Sequence, residues 1–122
     1  MTIFEINDYL LERGFVHCEP LCKFTVKDTR LFFKYQEADF CSLSNGHFIL
    51  YMIRPTTGYN SKYYTSFYSI PRYDIKEIKY ENLTVAMLGI FCTDFIKTYN
   101  DTIEYIKQQK ELKKLDKLAE DF

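Results

Sequence analysis

The sequence predicts an α+β domain in which an N-terminal helix leads into an antiparallel meander of five or six strands and a long C-terminal helix packs on the sheet. Three observations carry this expectation. Helix-period apolar spacing occurs at both ends of the chain, short aromatic and β-branched segments separated by turn residues fill residues 15–80, and those segments follow one another too closely for parallel crossovers. The chain has 122 residues, 47% hydrophobic and 27% charged, which suits one domain with one core and excludes a disordered or fibrous chain.

Thr2-Ile3-Phe4-Glu5 fits the capping box, in which a hydroxyl and a carboxylate satisfy free amides at a helix start. A helix is expected from about residue 3 to Arg13, with Ile3, Ile6 and Leu10 on its core face, widened by Phe4 and Leu11. Gly14 should end it, because glycine accepts the left-handed conformation found after a helix C-terminus.

Leu21 to Lys27 and Arg30 to Gln36 are expected to form a hairpin around Asp28-Thr29. A second pair should join Ala38–Leu43 to His47–Ile53 through Ser44-Asn45-Gly46, since Asn-Gly favours a type I′ turn with positive φ at both central residues. The segment His47 to Ile53 is apolar on both faces, as for a strand covered on two sides. A loop at Arg54 to Ser61 precedes a strand from Lys62 to Ile70, which Pro71 stops. Ile75 to Tyr80 reads as a short edge strand guarded by Lys76 and Lys79.

After Asn82, the expected N-cap, no proline occurs, so one helix is expected from about residue 83 to 119. At about 100° per residue, Leu88, Phe91, Cys92, Phe95, Tyr99, Ile103 and Ile106 share one stripe, which should pack on the sheet. Beyond Ile106 that stripe runs through Lys110, Lys113 and Lys117, while Leu112, Leu115, Ala119 and Phe122 fall on the other side. Residues 107–122 therefore either fold back after Lys107-Gln108-Gln109-Lys110 or continue straight and protrude. The absence of glycine and proline there favours the straight rod.

Composition narrows the function classes. Sixteen basic and 17 acidic residues give a net charge of −1, which argues against a chain built as a polyanion binder or an acidic nucleic-acid mimic. The longest apolar run, Val85 to Cys92, is far shorter than the roughly 20 residues of a membrane span, and no secretory signal is visible, so a cytoplasmic protein with no membrane partner is expected. Eleven Tyr, 11 Phe and no Trp, with few Gly, Ala, Arg and Pro, suit a low-GC genome such as that of a bacterium, phage or protist.

The motifs of chemistry are sparse. No phosphate loop, zinc-protease helix, nucleophile elbow or calcium loop is present, and no cofactor or metal is expected. His17, Cys18 and Cys22 with Cys41 or His47 offer metal-type donors, but no second spaced pair completes a set, so the cysteines read as small buried hydrophobes. His47 with Glu37, Asp39 or Cys41 would form a base or nucleophile set only if the fold gathered them. A non-enzyme is expected, with no catalytic residue.

Two surfaces suggest binding to another protein. Arg54, Tyr59, Lys62, Tyr63, Tyr64 and Arg72 form a Tyr- and Arg-rich region, and these residue types are enriched at binding hot spots. Leu112, Leu115, Leu118 and Phe122 would offer the second face of the C-terminal helix, with a homodimer as one outcome. The expectation is a small interaction protein, such as an accessory or inhibitor protein of a phage or mobile element. The alternative is a nucleic-acid or nucleotide binder using Lys23, Lys27, Arg30, Phe32 and Lys34, where cations would neutralise phosphates and Phe32 would stack on a base.

Overall fold

The computed structural model describes residues 1–18, 29–54 and 74–120, the side chains of Thr29 and Arg30 excepted. The expected strands Leu21 to Lys27 and Lys62 to Ile70, and the hairpin between Leu21–Lys27 and Arg30–Gln36, lie outside the described residues. In chain order the elements are α1 (Ile3–Glu12), β1 (Val16–Cys18), β2 (Thr29–Tyr35), β3 (Ala38–Ser44), β4 (His47–Met52), β5 (Asp74–Lys79), a 3-10 turn (Tyr80–Asn82) and α2 (Val85–Glu120). The arrangement is α+β, with the strands in the sequential order β1-β2-β3-β4-β5 and every neighbouring pair antiparallel.

The capping box at the start of α1 forms as the sequence predicts. Thr2 Oγ1 accepts from the Glu5 amide at 3.2 Å, and Glu5 Oε1 accepts from the Thr2 amide at 3.0 Å. Gly14 follows the helix with φ +86°. Ile6 and Leu10 are buried and Ile3 is half-buried, whereas Phe4 is 78% and Leu11 44% exposed. The expectation that these two widen the core face is therefore corrected: Phe4 and Leu11 lie about a heptad apart on the outward side, away from the Ile6–Leu10 stripe.

Both helices cover one face of the sheet. Cross-strand partners Phe33, Cys41 and Leu50 line up on that face, as do Leu31, Leu43, Phe48 and Ile78. Phe40 has no partner between the pairs Phe33–Cys41 and Lys34–Asp39, so it is the extra residue of a β-bulge. The bulge lets Phe40 and Cys41 both reach the helices. The Phe40 ring lies 4.3 Å from Phe15 and 4.8 Å from Phe95, and Phe15 also meets Tyr35 at 5.4 Å. Tilted and edge-on aromatic packing is what this tyrosine- and phenylalanine-rich composition supplies in place of tryptophan.

Two turn and strand expectations are corrected. At Asn45-Gly46 only the glycine has positive φ, +82°, so the turn is not type I′. The strand buried on nearly every residue is β3 rather than β4, which alternates with Phe48 and Leu50 buried and Ile49 and Tyr51 half-buried. β3 lies at the middle of the sheet, and its bulge puts Phe40 as well as Cys41 into the core. The turn between β2 and β3, Gln36-Glu37, holds Gln36 at φ +54°.

β5 closes one side of the sheet order, the edge position expected for Ile75 to Tyr80. Lys76 stands over the Phe91 ring at 5.5 Å, so its ammonium adds a cation–π contact to α2. The N-cap of α2 is Thr84, whose Oγ1 accepts from the Met87 amide at 3.2 Å. Asn82 instead ends the 3-10 turn, and the buried Leu83 separates the two. Among the described residues, no helix is long and apolar enough to cross a membrane.

Candidate docking site

The sequence of α2 sets its two faces. Leu88, Cys92, Phe95, Tyr99, Thr102 and Ile106 are buried, with Phe91 and Ile103 half-buried, which is the stripe the spacing predicts. Thr102 joins it because its hydroxyl donates to the Thr98 carbonyl at 2.7 Å and so needs no water. The Tyr99 hydroxyl donates to Glu37 Oε1 at 3.4 Å, and burial, reinforced by the Glu37 charge, raises its pKa.

The helix then continues unbroken through Lys107-Gln108-Gln109-Lys110 to Glu120, and every residue from Lys110 to Glu120 is exposed. Leu112 is 44%, Leu115 60% and Leu118 54% exposed. Lys110, Lys113 and Lys117 continue the stripe that is buried upstream, so the leucines look away from it. Fourteen residues from Lys107 to Glu120 make a rod of about 21 Å. Lys, Glu, Gln, Leu and Ala are strong helix formers, which is why the helix persists without a core beneath it.

The Tyr-rich region is represented by Arg54 alone, which is exposed and held to Asp74 Oδ1 at 3.3 and 3.4 Å from Nη2 and Nε. Tyr59, Lys62, Tyr63, Tyr64, Arg72 and Phe122 lie outside the described residues. On the sheet face that the described helices leave open, Phe32 and Lys34 do share a side and are both half-buried. Lys34 pairs in register with Asp39, and Ile49 with Glu77, so acid interrupts that face. Arg30 belongs to β2, while Lys23 and Lys27 lie outside the described residues.

The residues that could have formed a catalytic set are spread out. His47 Nδ1 lies 2.7 Å from Glu77 Oε1 across β4 and β5. Glu37 lies at the far end of β3, roughly 20 Å along the strand, and Cys41 points to the helix side. His17 Nε2 meets Asn7 Oδ1 at 2.6 Å and its ring packs edge-on against Phe33, while its neighbour Cys18 points to the opposite face. Among the described residues no three potential metal ligands gather. Burial pushes the Cys92 thiol up to about 12 and the Cys41 thiol well above its ordinary value, helped at Cys41 by the nearby Cys92 and Cys18. Such thiols stay protonated and unreactive.

Sequence reasoning missed a groove between α1 and α2. Tyr9, Arg13, Ala86, Gly89, Ile90 and Thr93 line it, with the Arg13 guanidinium 3.3 Å above the Tyr9 ring. A Cβ on Gly89 would stand 2.9 Å from the Tyr9 hydroxyl, so the isolated glycine inside a helical pattern was the available signal. With the geometry in place, comparison with known proteins adds nothing further: no family model, curated protein or solved structure matches this chain.

Proposed function

We propose that this chain is a non-enzymatic interaction protein that docks another protein on the outward face of the last third of α2. The observation that supports it is the exposure of Leu112, Leu115 and Leu118 on an unbroken helix, turned away from the stripe that serves the chain's own core. Fully burying a leucine is worth about 1.5–3 kcal/mol, so three partly exposed ones give a partner several kcal/mol to gain. Among the described residues, His47, Glu37, Asp39 and Cys41 do not gather at one place. The nucleic-acid alternative is the weaker one, because Asp39 and Glu77 place negative charge beside the face that Phe32 and Lys34 would use.

The test compares the full chain with the L112Q/L115Q/L118Q variant, both immobilised and matched by circular dichroism. Lysate of the host cell is passed over each. A protein retained by the natural sequence and lost from the variant is the expected result. Identical retained proteins on both surfaces, together with a natural chain that stays monomeric in concentrated solution, would reject docking through this face.

A further inference from the structure

We infer that the occupant of this face is a second copy of the chain, its rod lying antiparallel to the first; the inference rests on the docking role proposed for the face. Tyr105, Gln108, Leu112, Leu115 and Ala119 recur at alternating steps of three and four, the spacing of an a/d seam. In an antiparallel register Leu112 meets Leu115 of the second copy twice, and Gln108 meets Ala119, a longer side chain against a small one. The register overlaps residues 107–120 of both copies, which include the continuously exposed stretch from Lys110 to Glu120, and brings each tip to the other body near Tyr105.

Charge selects the direction. Glu111 and Asp116 flank the seam on opposite sides. In a parallel pair Glu111 of each copy would face Asp116 of the other, two acid–acid contacts that oppose association. In the antiparallel pair Glu111 lies beside Leu118 and Gln109 beside Asp116, which removes both repulsions. Three partly exposed leucines per copy bury much less than the roughly 800 Å² per partner of a stable complex. The dimer is therefore weak, reversible and concentration dependent.

Sedimentation equilibrium of the full chain up to about 1 mM reads this association. The expected mass rises toward twice the monomer, and L115Q stays monomeric with an unchanged melting temperature. Mixing the single variants E111C and L118C with a short thiol cross-linker should give heterodimers joined at these two positions, located by peptide mapping. L118C alone should yield no cross-link at its new cysteine, because the antiparallel register sets the two copies of that position about 13.5 Å apart along the axis. A monomer at every concentration, a dimer that survives L115Q, or L118C cross-linked to itself would overturn the inference. A monomeric chain that still captures a host protein through its leucines would leave the docking role standing and assign the face to a different partner.

Discussion

Asp39 shows how a side chain can work against the fold that holds it. It sits half-buried on β3, where burial raises its carboxyl pKa and the Lys34 ammonium offsets only part of the rise. An acid whose pKa is raised on folding contributes stability that is complete below its unfolded pKa and is lost as pH rises through the folded value. Asp39→Asn is therefore expected to melt above the natural chain at neutral pH, with the gap closing below the ordinary aspartate range, where both side chains are neutral. Thermal melts across a pH series check this. A variant that melts lower at neutral pH would show that attraction to Lys34 outweighs the cost of burial. Composition and spacing carry no trace of this balance, because the residue opposite Asp39 depends on strand register.

What was legible in each element depended on whether its determinants are local. The capping box of α1 involves Thr2 and Glu5 three residues apart, and it formed as written. The start of α2 was ambiguous because Asn82 and Thr84 are both good caps within two residues, and the buried Leu83, a tertiary contact, decided between them. Thr84→Ala should cost about 1 kcal/mol and Asn82→Ala a few tenths at most, measured by denaturant unfolding; equal costs would return the cap to Asn82. The bulge at Phe40 was equally hidden, since the extra residue is defined only by Phe33 and Lys34 on another strand. Gln36 in the left-handed region went unforeseen as well, because glutamine carries no turn signature.

Across the whole molecule, the division of α2 between body and rod was countable from sequence, because helical geometry fixes which residues share a face. The α1–α2 groove was not, because it depends on how two helices approach. The rod's independence from the body has a direct consequence for a chain ending at Gln109. Residues 110–120 are exposed throughout and bury nothing beneath them, and extending an existing helix by one residue changes its free energy little. At dilute concentration the shortened chain should therefore keep its melting temperature within about 2 °C, less than a loss of 1 kcal/mol would cause in a domain of this size. Its helical circular dichroism should nonetheless fall by about a quarter, since 11 residues leave a molecule whose described α-helices are α1 and α2. A melting temperature lower by more than about 5 °C would mean that the rod packs on its own body, and its leucines would then belong to the core.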